Sequence, residues 1–362
     1  MSSLGPDRGG GGAPAVSLRK SGGGVTFDPA VYGVFPLALE VLPAGEPCPC
    51  DLFLPLYDQQ QKRVKMTLVC GEGNCFQEPW RQRLLAAQQR SIFVYQEQGQ
   101  ALRGYFQRHA SQRLDDPQVP ASYKRLLIQE MAGLNLRDLY GGDLSPQVVG
   151  QAVDGIQGVL ERLTGDELLL TNLSEILRSD YNTYSHSVNV SLLAMALGRH
   201  LKLTTQRVQA LGMAGMLHDL GRAKLPPEMQ NKAGPFDEQE WALMRTNPHW
   251  GHRLLSSAHS VSMEVLKAVL HHHENADGSG YPHGITAERT PLAARLLRLV
   301  DAFDAMTSHR PHRPARQAFE AASIIMQSPQ HFGEDLIPPF LRFLASPHMV
   351  RKQEPAAGPS QG

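Results

Sequence analysis

A chain of 362 residues with 35 basic and 35 acidic side chains has no formal net charge at pH 7, which argues against a general binder of DNA or RNA, since such proteins are usually basic overall. Its 41% apolar and 7% aromatic content allows real cores, and its length suits two domains of ordinary size. No run approaches the roughly 18 apolar residues that span a bilayer, and the start of the chain lacks the continuous apolar stretch of a secretory signal. The expectation is a cytoplasmic protein without a membrane span.

Residues 1–24 are rich in Gly, Ser and Pro with few large apolar side chains. Such a segment cannot bury enough surface to offset its ordering entropy, so an unstructured tail is expected. Residues 25–142 read as a small α+β domain. Turn residues separate β-prone runs at 34–39, 51–57, 64–69 and 91–95, and helical patterns follow around 79–88 and 100–114. All four cysteines lie here: Cys48, Cys50, Cys70 and Cys75. Thiolates are good zinc ligands, but neither pair has the usual C-x2-C spacing, so zinc is disfavoured against buried free thiols. This stretch holds no constellation of acids, histidines or phosphate-binding glycines.

After the turn-rich Gly141-Gly142-Asp143 the pattern becomes helical from Ser145 and stays so to about 346, with 347–362 as a second tail. Val148, Val149, Ala152, Val153, Ile156, Val159 and Leu160 recur at helical spacing. Further helices are expected at 171–178, 183–201, 205–217, 237–245, 249–256, 261–272, 292–307, 314–327 and 335–344. The second domain is therefore an all-α bundle.

Twelve of the fifteen histidines fall between His186 and His312, which suggests convergence on one place. His is the commonest metal ligand, and Asp completes hard or borderline sites. His218-Asp219 closes an apolar helix before Gly221. Read alone, the pair is more simply a helix-terminal His beside a capping Asp, and His186 alone is a satisfied core histidine. His272-His273 ends another apolar helix and leads into the turn-rich Glu274–Pro282. Asp301 follows Leu296-Leu297-Arg298-Leu299-Val300.

The ordered series of His186, His218-Asp219, His272-His273 with Gly280-Tyr281-Pro282, and Asp301 resembles the HD-GYP family of cyclic di-GMP phosphodiesterases. The segments HSVNVSLLA, LHDLGR, NKAGPF, HHENADGSGYP and DAFDAMTSHRP carry the resemblance across 170–344. It implies an HD-superfamily helical bundle and two divalent metals, iron or manganese. The first would be held by His186, His218, Asp219 and Asp301, the second by Asp219, His272 and His273. A third histidine of the second site is expected where this chain has Asn247, and amide oxygen is a weaker ligand than imidazole for transition metals. The acid that some members use for a third metal would lie near Asn182. The family's HDxGK lysine is Arg222 here. Asp219 and Arg222 are the candidate catalytic residues, and Lys232, Tyr281, Arg310 and Arg313 the candidate contacts to substrate.

Two function classes remain open at this point. One is metal-dependent hydrolysis of cyclic di-GMP to pGpG or GMP in bacterial second-messenger signalling. The other is a degenerate domain that acts as a cyclic di-GMP receptor or interaction module. A diguanylate cyclase or another signalling protein is a candidate partner in either case.

Overall fold

The computed structural model describes residues 20–21, 24–25, 27, 29–42, 44–58, 63–140, 144–165, 170, 173, 183–230, 232, 234–258, 260–308, 315–346 and 349. Asn182, Arg310 and Arg313, the turn at 141–143 and nearly all of the expected helix at 171–178 lie outside the described residues. The chain divides into two compact units, Met1–Asp116 and Pro117–Gly362.

In the first unit, β1 (Lys20–Ser21) pairs antiparallel with β2 (Gly24–Val25), and all of this pair but Val25 falls in residues 1–24, where an unstructured tail was expected. The strands β3 (Val34–Ala38), β4 (Leu52–Asp58), β5 (Arg63–Cys70) and β6 (Ser91–Tyr95) form an antiparallel sheet in the order β3-β6-β4-β5. Helix α1 (Glu78–Ala86) lies between β5 and β6 in the chain, and α2 (Gly99–Asp115) follows β6. Helix α2 buries Leu102, Phe106 and Ala110, four residues apart and therefore on one face. Leu37, Leu39, Leu52, Phe76 and Ile92 are fully buried. Cys48, Cys50 and Cys70 are buried, with the sulfurs of Cys48 and Cys70 3.6 Å apart. Burial pushes the thiols of Cys48 and Cys50 up to about 12, so they stay protonated, and the thiolate is the form that binds metal.

The second unit is helical among its described residues. It runs through α3 (Ala121–Tyr140), α4 (Pro146–Gly165), α5 (Thr183–His200), α6 (Thr205–Leu217), a 3-10 turn at Leu220–Lys224, α7 (Pro227–Gln230), α8 (Glu238–Met244) and α9 (Asn247–Ser256). It continues through α10 (Met263–His271), α11 (Leu292–Thr307), α12 (Ala318–Met326), α13 (Pro329–Phe332) and α14 (Ile337–Leu344). Val188, Val190, Leu192, Leu193, Met195 and Leu197 of α5 are all buried. Ser187, Asn189 and Ser191 are buried as well; a helix buried on every side belongs at the centre of a bundle, and α5 packs on α3, α6 and α11. Helix α10 packs on α6, α9 and α11. No described helix is long and apolar enough to cross a membrane.

The units divide at Asp116, earlier than the change at Gly141–Ser145 expected from the sequence. The reason is α3, which packs on α4 and α5 of the bundle. Its apolar stripe is blurred because Lys124, Arg125 and Asn135 are buried along with Leu127, Ile128, Leu134 and Leu139.

Candidate metal centre

Three helix ends and the middle of a fourth helix build the centre. His218 caps the C-terminus of α6, and its Nδ1 lies 2.8 Å from the Gly215 carbonyl. A carbonyl only accepts, so Nδ1 carries the hydrogen and Nε2 is turned toward the site. His272 caps α10 in the same way, with Nδ1 2.6 Å from the Val269 carbonyl. Both Nε2 atoms are buried without a hydrogen-bond partner among the described residues. His186, near the start of α5, places Nδ1 2.7 Å from Asp304 Oδ2 and Nε2 3.2 Å from Asp301 Oδ1. Fixing one ring nitrogen so that the other faces a cation is how proteins prepare imidazole ligands.

The ligand-type atoms of His186, His218 and Asp301 lie within 4.8 Å of one another, as do those of Asp219, His272 and His273. The rings of His186 and His218, and of His218 and His272, have centroids 5.2 Å apart, which joins the two sets. The structure thus brings together all six positions of the sequence series on α5, α6, α10 and α11.

Their ionisation suits a cation. Burial opposes the charge on Asp219, but Arg222 and His218 hold its carboxyl well below the usual range. Burial likewise opposes the charge on Asp301, yet the hydrogen bond from His186 and the charge of His218 keep it low. Burial, then His218, brings His272 down to about 4, and burial, then His272, holds His273 well below its ordinary value. Two carboxylates and two neutral imidazoles at neutral pH are the forms that bind metal. Burial pushes His218 down, but Asp219 and Asp301 outweigh it and raise its pKa. A divalent ion among the same acids would take over that role and release the proton. The two unsatisfied Nε2 atoms and the paired carboxylates fit the implied metals.

Asn247 begins α9 at 1% exposure, and its Nδ2 donates to Asp219 Oδ1 at 2.9 Å. Arg222 Nη1 donates to Asp219 Oδ2, also at 2.9 Å. Each oxygen of Asp219 therefore already carries a donor. Gly221 makes this approach possible, because a Cβ there would overlap the backbone of Asn247 and Gly251. His249, two residues on, is exposed and meets the His283 ring at 5.4 Å, so it does not stand in for a ligand at Asn247.

Residues 171–336 match the HD domain family. Over 200 residues the chain is 36% identical to a cyclic di-GMP phosphodiesterase of Pseudomonas aeruginosa, covering 54% of this chain and 48% of that protein. Over 125 residues it is 36% identical to the cyclic di-GMP phosphodiesterase response regulator RpfG of Xanthomonas campestris pv. campestris, covering 34% and 33%. The matched segment holds the whole of the His/Asp cluster, so the similarity to HD domains falls on the candidate centre. The chain spans about half or less of the length of these relatives. Its fold is shared with Bd1817, an HDG"Y"P protein of Bdellovibrio bacteriovorus, at a TM-score of 0.62 and 19% identity, over 86% of this chain and all of that one.

Within the matched segment, Tyr281 lies over His273, ring centroids 4.7 Å apart, and its backbone N–H donates to the His273 carbonyl at 3.2 Å. Gly280 allows this, since a Cβ there would collide with the backbone of His273, Glu274 and Asn275. Lys232 is exposed and its ammonium pairs with Glu240 at the start of α8, a carboxylate rather than a member of the centre. Arg310 and Arg313 lie outside the described residues, so their placement against a substrate stays an expectation. Two contributors carried no role in the sequence reading. Asp304 orients His186, and its signal was its position three residues after Asp301 on one helix face. Arg298, whose charge acts on His273 and Tyr281, bonds to Asn275 Oδ1 at 3.2 Å.

Proposed function

We propose that this chain hydrolyses a phosphodiester bond of cyclic di-GMP, giving pGpG or GMP, with divalent metals held by His186, His218, Asp219, His272, His273 and Asp301. The observation that carries this reading is the pair of buried imidazole nitrogens, His218 Nε2 and His272 Nε2, turned into a cluster of carboxylates without a hydrogen-bond partner among the described residues. The names of the relatives supply the substrate class. Bound divalent ions would supply Lewis-acid stabilisation of the phosphoryl oxygens and activation of water. The chain itself orients the imidazoles through Gly215, Val269 and Asp304, and keeps Asp219 and Asp301 anionic. Arg222, with its side chain 23% exposed beside Asp219, is placed to swing onto a substrate phosphate when a metal takes Asp219. Its fork binds two phosphate oxygens at once. Tyr281 covers His273 and is the candidate contact to the nucleotide.

One observation favours a second reading. Both oxygens of Asp219 are already hydrogen-bonded, to Asn247 and Arg222, so the pocket is satisfied electrostatically at this carboxylate without a second ion. A domain resting in that state acts as a cyclic di-GMP receptor. Incubating the full chain with cyclic di-GMP and manganese, and following nucleotides by chromatography, separates the two. Product from the wild type and none from Asp219→Ala supports hydrolysis. Saturable binding without product at every manganese concentration sinks it in favour of the receptor.

A further inference from the structure

A second group of metal-type side chains sits outside the HD centre, around the loop that carries Tyr281. His271 ends α10, Glu274 opens the loop and His283 follows Pro282; one ligand atom from each lies within 4.8 Å of the other two. None of the three belongs to the set that the family resemblance assigns. We propose that His271, Glu274 and His283 form a separate binding site for a zinc-class divalent cation, which ties the end of α10 to the far side of the Tyr281 loop.

The distances fit one ion. His271 Nδ1 and Glu274 Oε1 are 3.7 Å apart, too long for a hydrogen bond. Ligand atoms held about 2.1 Å from a tetrahedral zinc stand about 3.4 Å from each other, so a small inward movement closes the pair on a shared cation. His271 Nδ1 is buried and has no hydrogen-bond partner among the described residues. A buried polar atom in that condition is costly, and a metal bond removes the cost. Glu274 is 3% exposed and fixed in place, because its two oxygens accept the N–H groups of His283 at 2.7 Å and Ile285 at 3.2 Å. An ionised carboxylate has about four acceptor sites, so Oε1 keeps capacity for an ion.

The fourth position is also provided for. The His283 ring lies 5.2 Å from His271 and 5.4 Å from His249, measured between centroids. His249 and His252 stand three residues apart on α9, on one helix face. His283 is exposed, so the site opens to solvent and water completes a tetrahedron, with His249 beside His283 rather than within the group. Imidazoles with a single carboxylate suit zinc, nickel or copper better than magnesium, calcium or manganese. The consequence is mechanical. Residues 274–283 form the segment that carries Gly280 and Tyr281, and a cation across its two ends and the end of α10 would hold Tyr281 against His273.

The test does not depend on whether cyclic di-GMP is hydrolysed. The full chain, stripped of metal, is titrated with zinc by calorimetry, and with cobalt(II) to read the visible bands of tetrahedral coordination. The same is done for His283→Ala, His271→Gln and Asp219→Ala. The expected result is one zinc equivalent beyond those taken by the HD centre, with tetrahedral cobalt bands, that persists in Asp219→Ala and is lost or weakened at least tenfold in the other two. A variant-free readout accompanies it: zinc should protect His283 of the wild type from diethyl pyrocarbonate, as read by mass spectrometry. Equal zinc stoichiometry and affinity in wild type and His283→Ala, or an unprotected His283, overturns the proposal. So does a zinc equivalent that disappears only in Asp219→Ala, since it would then reside in the HD centre.

Discussion

Asp304→Asn probes the part of the centre that the family motifs do not name. The His186 Nδ1 to Asp304 Oδ2 distance is 2.7 Å, and both side chains are buried, at 2% and 0% exposure. A bond that short to a carboxylate is charge-assisted and roughly twice as strong as a neutral one. Asparagine keeps an acceptor for His186 but removes the charge. It also puts an NH2 where Asp304 Oδ1 now stands without a hydrogen-bond partner among the described residues. Groups that orient ligating histidines typically contribute about 10- to 100-fold in metal affinity, or about 1.4–2.8 kcal/mol, which agrees with about 1.5–3 kcal/mol for a hydrogen bond to a charged group. Competition of manganese against a chromogenic chelator, with wild type and variant side by side, measures the change. Melting in metal-free buffer accompanies it, to separate folding from binding. The reasoning is refuted if the variant melts lower yet binds manganese within about twofold of wild type, because Asp304 would then be a packing residue only.

Asn247→His should raise manganese per chain, since it removes the donor on Asp219 Oδ1 and adds an imidazole; the gain in turnover should shrink at high manganese, when mass action fills the weaker site. Elemental analysis with no increase would count against the assignment of Asn247 to the second site. Gly280→Ala should cost about 1–3 kcal/mol by overpacking the loop backbone, and an unchanged urea midpoint would contradict the close approach there. The metal-stripped protein should lose stability as pH falls from 6.5 toward 4. His272 titrates near 4 when folded against 6.5 as its ordinary value, so the unfolded chain binds more protons in that window, worth on the order of 3 kcal/mol by pH 4. His273 acts in the same sense. His218, raised, contributes stability that is complete below 6.5 and lost above it, so it does not offset the acid loss. A urea midpoint flat from pH 7 to 4 would refute this.

The centre was legible in the sequence through the ordered His and Asp series that resembles the HD-GYP family. Local periodicity showed only that His218 and His272 each end an apolar helix, and their roles as ligands rested on the resemblance. The helices at 183–200, 205–217, 292–307 and 337–344 emerge within a residue or two of the expected spans. What stayed hidden depends on nonlocal packing. The strand order β3-β6-β4-β5 requires pairing across intervening elements, which alternation within a strand does not encode. Helix α3 escaped because buried Lys124, Arg125 and Asn135 interrupt its apolar stripe. Asn247 read as a missing ligand, and only the fold reveals it as a donor to Asp219. The group of His271, Glu274 and His283 is invisible without the loop that folds position 283 back onto 274.

The central claim is that the ions held by this cluster drive hydrolysis, and the turnover of cyclic di-GMP by the full chain as a function of added manganese tests it most directly. The account predicts no product after chelation, product that rises and saturates with manganese, and a half-saturating concentration that falls in Asn247→His. Product formation that is indifferent to chelator, or none from either protein at any manganese concentration, contradicts it.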